Sequence, residues 1–185
     1  MLTVRQIYQK DYPKGKKAVY KYTSEKYYEI SMPRRDNGWN ISLVEERFAA
    51  PFVKELEEEI FEQYKEGSEV YLADHKGEEA AIMVIQKMDW NNTLLIHDLY
   101  VDDRFKKNGI GRCLIEVAKK RAIELGVRSI ILETQTSNYP AIQFYLKNGF
   151  ELIGFNSISY TNEDIKNNEV CIEMGYKLES HHPNL

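Results

Sequence analysis

The run Asp98-Leu99-Tyr100-Val101-Asp102-Asp103-Arg104-Phe105-Lys106-Lys107-Asn108-Gly109-Ile110-Gly111 sets an apolar strand, a basic loop and a glycine-rich helix entry in direct succession. The residues before it, from Thr93 to Val101, are apolar and β-prone. After it, Ile110, Leu114, Val117, Ala118, Ala122 and Leu125 recur at helical spacing, and Gly126 is placed to end the helix. A helix N-terminus offers unpaired backbone N–H groups and the positive end of the helix dipole to an anion. Gly109 and Gly111 have no side chain to keep a phosphate away from that backbone. Arg104, Lys106, Lys107 and Arg112 make the segment locally basic although the chain's formal net charge is −4, and local sign governs what approaches a site. The segment is expected to cradle a phosphate.

Two familiar phosphate loops are ruled out by their residues. A Rossmann dinucleotide turn needs a third glycine where Leu114 stands, and a tight strand-to-helix connection where Asp102 to Asn108 intervene. A Walker loop needs Gly-Lys-Ser/Thr, and Gly111 is followed by Arg112-Cys113. A second segment then adds to the first. Ser129 to Thr134 is a strand with Ile130, Ile131 and Leu132 as its apolar run, followed by Asn138 as an N-cap and Pro140 in the first turn of a short helix. Ala141, Phe144, Tyr145 and Asn148 share one face of that helix, and Gly149 closes it.

With both segments in view, the chain resembles the GCN5-related N-acetyltransferases, which move an acetyl group from acetyl-CoA to an amine. The family's Arg/Gln-x-x-Gly-x-Gly/Ala segment, which holds the CoA pyrophosphate, maps to Lys106-Lys107-Asn108-Gly109-Ile110-Gly111, with Arg112 beside it. The family's Asn-x-x-Ala-x-x-Phe-Tyr-x-x-x-Gly-Phe pattern maps to Asn138, Ala141, Phe144, Tyr145, Gly149 and Phe150 without a gap. One departure is Lys106, which supplies charge but not the planar fork of arginine, so a weaker grip on the cofactor is expected. The resemblance implies that backbone groups of Leu99, Tyr100 and Val101 pair with the pantetheine arm and polarise the thioester carbonyl. It implies that Asn138 contacts the pantetheine or its water shell and that Tyr145 donates a proton to the departing sulfur. It also implies an α/β fold with a mixed, mostly antiparallel central sheet flanked by helices and splayed at the acetyl-CoA cleft.

Length and composition fit one domain over residues 1–185, its motif-bearing core at about 69–160. No apolar run is long enough to span a bilayer, and residues 1–19 lack the apolar core of a signal peptide. A cytoplasmic protein is expected. Cys113 and Cys171 have neither disulfide nor metal spacing, and His75, His97, His181 and His182 form no ligand set, so no metal is expected; His181 and His182 are placed in a frayed tail. The basic groups at Lys14-Gly15-Lys16-Lys17 and Arg34-Arg35 are short and separate, which argues against nucleic acid as a partner. The expected element order is an N-terminal region without a clear pattern, a helix over 50–65, and strands over 69–74, 79–88 and 93–101. The cofactor helix, the strand to Thr134, the helix from Asn138 and strands over 151–160 and 169–178 follow. Asp89-Trp90-Asn91-Asn92 reads as a turn.

Transfer from a thioester to an amine needs the amine neutral. A lysine-like amine has a pKa near 10.4, so neutrality at pH 7 costs about 4 to 5 kcal/mol. Asp98 and Glu133, at neighbouring strand ends, are both candidates for the base that helps. Ile96-His97-Asp98-Leu99-Tyr100-Val101, Leu132-Glu133-Thr134-Gln135, and Gly154-Phe155 leading to Tyr160 resemble the streptothricin acetyltransferase branch of the family, although His97 stands where that branch carries glutamate. That branch acetylates a cationic antibiotic on its β-lysine amine. The acidic run Lys54 to Glu62 and the tyrosines Tyr8, Tyr12, Tyr20, Tyr22, Tyr27 and Tyr28 would suit a cation. With Phe52, Val53, Leu56, Ile60 and Tyr64 on one helical face, those glutamates also read simply as the solvated side of an amphipathic helix. The leading expectation is an N-acetyltransferase for a small cationic amine, acting as a monomer or homodimer with neither nucleic acid nor membrane as partner. The alternatives are a protein or peptide N-acetyltransferase and a CoA-binding module without turnover.

Overall fold

The computed structural model describes residues 1–62 and 65–178. They form two compact units, the first built from Met1–Tyr20, Leu56–Leu132 and the described residues from Gly175, the second from Lys21–Glu55 and Glu133–Met174.

In the first unit β1 (Leu2–Ile7) pairs antiparallel with β6 (Glu69–His75), β6 with β7 (Glu78–Met88), and β7 with β8 (Thr93–Val101). β8 then pairs in parallel with β9 (Ser129–Gln135), from Thr93↔Ser129 to Ile96↔Leu132. A parallel pair requires a long crossover, and α1 (Ile110–Glu124) supplies it. Ala80 to Ile85 of β7 are all buried, as expected of a strand covered on both faces. Asn92, at φ 52°, closes the turn into β8, a conformation asparagine tolerates better than most residues. Ile110, Leu114, Ile115, Ala118 and Ala122 form the buried stripe of α1, while Ile7, Ala18, Ile60, Val70, Leu72, Ile82 and Val84 pack as a second cluster.

β2 (Lys17–Ser31) and β5 (Ser42–Glu59) form a separate two-stranded ribbon, joined through a short hairpin of β3 (Arg34–Arg35) and β4 (Gly38–Trp39). This overturns the helix expected over 50–65, where Pro51 to Glu59 are strand; Tyr64 lies outside the described residues. The glutamates face lysines across the ribbon: Glu57 pairs with Lys17 at 2.6 Å, Glu55 with Lys21 at 2.9 Å, and Glu59 accepts the Lys16 backbone N–H at 2.7 Å. Cross-strand pairing thus outweighs the helix propensity of a glutamate run. Tyr22 and Phe52 add a ring contact at 6.1 Å, and Phe48 stacks on Phe52 at 5.1 Å.

The second unit contains most of the ribbon, the end of β9, α2 (Tyr139–Lys147), β10 (Glu151–Asn156) and the start of β11 (Cys171–Lys177), with strand order β9-β11-β10. β10 stops at Asn156 rather than Tyr160. The cause is Asp164, buried to 1 % exposure, whose carboxylate accepts the backbone N–H groups of Tyr160 and Thr161 at 2.9 and 2.8 Å and the Thr161 hydroxyl at 2.7 Å. That cluster turns the chain out of the strand. The expected mixed α/β fold with a mostly antiparallel sheet is the one observed, carried by two α-helices among the described residues. None of the described helices is long and apolar enough to cross a membrane.

Candidate active site

In the first unit the β8–α1 loop begins with a 3₁₀ turn, Asp103–Phe105, in which Asp102 accepts the Arg104 backbone N–H at 2.9 Å. Lys107 follows at φ 65°, a left-handed conformation that non-glycine residues seldom adopt, and the Asn108 side chain donates to the Phe105 carbonyl at 3.1 Å. Gly109, at φ 77°, is the N-cap of α1. It brings no capping side chain, and the first turn carries no acid, so the amides there keep their capacity for an external anion.

The four cations of this segment are not equivalent. Arg104 is claimed by its own neighbours, Glu78 at 2.7 Å and Asp102 at 3.0 Å. Asp102, followed by Glu78, holds the guanidinium pKa above its ordinary value, and Arg104 in turn holds the Asp102 carboxyl below the usual range. Lys106 pairs with Asp103. Lys107 and Arg112 are exposed and have no ion-pair partner among the described residues. The positive charge of the loop that no carboxylate among the described residues pairs with therefore sits on Lys107 and Arg112, beside Gly109, Ile110 and Gly111.

β8 leads directly into this loop. Leu99, Tyr100 and Val101 pair with Met83, Ile82 and Ala81 of β7, while the ladder to β9 ends at Ile96. Backbone groups on that side of β8 are thus not taken up by a parallel neighbour. Asp98, 6 % exposed, is engaged through both oxygens: Oδ1 accepts the Tyr20 hydroxyl at 2.7 Å and Oδ2 meets the Lys65 ammonium at 2.8 Å. Lys65 is itself buried, and Glu58 stands 3.7 Å from it. Burial, followed by the charge of Asp98, holds the Glu58 carboxyl above its usual range. Nothing in the sequence marked Lys65, a lone cation behind a glutamate run.

The second unit holds the remaining candidates. Asn138 caps α2, its Oδ1 accepting the Ala141 N–H at 3.3 Å, with Pro140 in the first turn. Tyr145 is 8 % exposed on α2, its ring set against Phe144 at 5.3 Å and Phe150 at 5.6 Å. Gly149, at φ 87°, lets the chain turn so that the Phe150 N–H reaches the Tyr145 carbonyl at 3.1 Å. Glu133 is exposed and accepts the Cys171 thiol at 3.6 Å. Of the tyrosines, Tyr22 pairs with Ser137 at 2.9 Å and Tyr28 accepts from Gln143 at 2.9 Å. Burial pushes the Tyr22 hydroxyl up to about 12. The structure thus joins Asp98 to Tyr20 and Lys65 in one unit, and Glu133 to Cys171 in the other.

The sequence profile of the acetyltransferase (GNAT) family matches residues 3–150. The chain belongs to that family. As a GNAT enzyme it transfers an acetyl group from acetyl-CoA to an amine, and acetyl-CoA is its cosubstrate. The chain is 28 % identical over 157 residues to streptothricin acetyltransferase A of Bacillus subtilis (strain 168), covering 80 % of this chain and 85 % of that one. It is 36 % identical over 83 residues to a streptothricin acetyltransferase of Escherichia coli, covering 45 % and 48 % of the two chains. Among solved structures, a putative streptothricin acetyltransferase from Bacillus anthracis str. Ames in complex with acetyl coenzyme A superposes with a TM-score of 0.76 at 25 % identity, covering 97 % of this chain and 98 % of that one. A nourseothricin acetyltransferase shares the fold with the same TM-score at 23 % identity, covering 95 % and 98 %.

Proposed function

We propose that this GNAT enzyme acetylates a primary amine on a small cationic acceptor, with streptothricin as the compound of choice. The observation that carries the reading is the reach of the match to the B. subtilis relative, 157 residues, well beyond the cofactor segments that all acetyltransferases of this kind share. The family match over 3–150 includes residues of both compact units, which supports their working as one N-acetyltransferase domain. We place the enzyme in the cytoplasm, where its cosubstrate is made and held.

When bound, acetyl-CoA supplies the thioester carbon that an amine attacks and the thiolate that leaves. The amides of Ile110, Gly111 and Arg112, together with the Lys107 and Arg112 side chains, suit its pyrophosphate, with Lys106 and Asn108 shaping the loop around them. Backbone groups of Leu99, Tyr100 and Val101 suit the pantetheine and the thioester carbonyl, and Asn138 suits the pantetheine from α2. Of the two carboxylates, Glu133 is the better proton acceptor, because it is exposed and carries no ion pair among the described residues, whereas both oxygens of Asp98 are occupied. Tyr145 would protonate the departing sulfur.

Mass spectrometry of streptothricin incubated with acetyl-CoA and the protein should show one added acetyl group on the β-lysine amine. An unmodified antibiotic, in a sample where acetyl-CoA binding is demonstrated, would reject streptothricin as acceptor. Steady-state kinetics should separate the loop cations. Lys107→Ala and Arg112→Ala are each expected to raise the KM for acetyl-CoA about three- to tenfold, the range of a charge-assisted contact at an exposed site. Arg104→Ala should change it less than about twofold, since its charge is already met. Equal effects at Arg104 and Lys107 would contradict this division. Gly109→Ala should raise the same KM further. No atom lies within 4 Å of the added methyl, but the left-handed φ of 77° strains it.

A further inference from the structure

In the first unit β8 carries one residue more than β7 over a short stretch. Val84 of β7 pairs with Asp98, while the next residue, Ile85, pairs with Ile96, so His97 is the extra residue of the ladder. This is a β-bulge, which bends and twists the strand that bears it. In an antiparallel pair, successive residues turn their backbone N–H and C=O alternately toward the partner strand and away from it. If the ladder set by Thr93 to Ile96 ran on without the extra residue, Leu99, Tyr100 and Val101 would exchange the groups they turn to β7 for those they turn away. The bulge thus decides which of these groups face outward.

Two consecutive residues of a neighbouring turn hold the bulge in place. The Gln86 side-chain Nε2 donates to the Glu66 carbonyl at 2.9 Å, which leaves Gln86 Oε1 to meet His97 Nε2 at 2.7 Å. An amide oxygen only accepts, so His97 Nε2 carries the hydrogen in that bond. One residue before Glu66, the Lys65 ammonium meets Oδ2 of Asp98 at 2.8 Å. The turn itself is tied by the Lys65 N–H to the Glu62 carbonyl and by the Ser68 N–H to the Lys65 carbonyl, both at 3.0 Å. Gly67, at φ 82°, supplies the left-handed step between them. Gln86 is also the β7 partner of Leu95, on the regular ladder just before the bulge.

We propose that Gln86 and His97 are positioning residues for acetyl-CoA: by pinning the extra residue of β8, they set which backbone groups of Leu99, Tyr100 and Val101 turn out to meet the pantetheine. This rests on the reading that this backbone holds the pantetheine. Lys65 and Asp98 hold the same bulge through a buried ion pair, whereas Gln86 and His97 are half-buried and can be substituted without stranding a charge.

The test is the binding of CoA, measured by calorimetry beside a thermal melt, in Gln86→Ala, His97→Ala, His97→Gln and the double alanine variant. The dissociation constant should rise about three- to tenfold in each single alanine variant, the worth of one hydrogen bond. His97→Gln keeps an N–H for Gln86 Oε1 and should stay within about twofold of wild type. The double variant should bind no more weakly than the singles, because both remove the same link. A packing role alone would lower Tm and leave the affinity of the folded protein where it was. Wild-type affinity in both alanine variants, or losses that add in the double variant, would overturn the proposal. Amide hydrogen exchange separates it from the reading beneath it. CoA should slow exchange at one or more of the Leu99, Tyr100 and Val101 amides in wild type, and less so in Gln86→Ala. Equal slowing in both, with affinity unchanged, refutes the pinning and keeps the pantetheine contact. No slowing at any of the three while CoA binds removes that contact and the proposal with it.

Discussion

Replacing Tyr145 by phenylalanine should lower kcat by about 10²- to 10⁴-fold, the range for a general acid, and leave the fold intact. The side chain is 8 % exposed and its ring packs against Phe144 and Phe150, contacts that phenylalanine keeps. Only the hydroxyl is lost. A thiolate that leaves without a proton donor is a poorer leaving group, so the loss should fall on kcat and not on the KM for acetyl-CoA. Steady-state rates from the release of free CoA, beside a thermal melt of the same sample, read both quantities. A variant that melts normally and turns over at the wild-type rate would reduce Tyr145 to a packing residue of α2.

The largest effect on stability should come from Asp98 and Lys65. Asp98→Asn takes from the Lys65 ammonium, 2 % exposed, the carboxylate that meets it at 2.8 Å, and leaves Glu58 farther off at 3.7 Å. Removing one partner of a buried ion pair typically costs about 3 to 5 kcal/mol, or roughly 6 to 20 °C in Tm for a chain of this size. Lys65→Met should cost a similar amount, because the buried Asp98 carboxylate would lose its cation and keep the Tyr20 hydroxyl. The double variant Lys65→Met, Asp98→Leu should be more stable than the sum of the two losses predicts, since no unpaired charge remains. Denaturant unfolding of the three variants gives the answer. Three small losses, each within about 0.5 kcal/mol, would mean that water reaches the pair. Activity measured on Asp98→Asn where it is fully folded separates the two carboxylates. Near-normal kcat leaves the proton to Glu133, and a collapse of kcat moves it to Asp98.

The elements around the candidate cofactor site were legible because their signals are local. β8 begins at Thr93 and ends at Val101 as its apolar run predicts. Asn138 caps α2, and Gly126 and Gly149 take the positive φ that a helix stop requires. The ribbon was not legible, because its pairing partners are far apart in the chain. Phe52, Val53, Leu56 and Ile60 fit a helical stripe as read alone, whereas in the structure Phe52, Lys54 and Glu58 turn to the more buried face of a strand and Val53, Glu55 and Glu57 to the exposed one. The lysines that settle the matter, Lys17 and Lys21, lie on another strand. The same distance in sequence hid the candidate site's supporting groups. Tyr20, Lys65 and Asp98 come from separate segments, as do Glu133 and Cys171, and no spacing rule links them. Charge counting along the loop also misled, because Glu78, which helps neutralise Arg104, sits on β7.

Pro51 lies within β5, in a ribbon only two strands wide. The outer side of a ribbon strand is a row of backbone donors and acceptors that another chain could extend. Proline has no N–H, so the row along β5 is interrupted in its C-terminal half, near the exposed Val53 and Leu56. At high concentration in a crowded cell, a growing stack of such ribbons meets a break at that residue in every copy. The imino acid that makes β5 look least like a strand is thus also what lets so long a strand stand at a sheet edge without inviting aggregation.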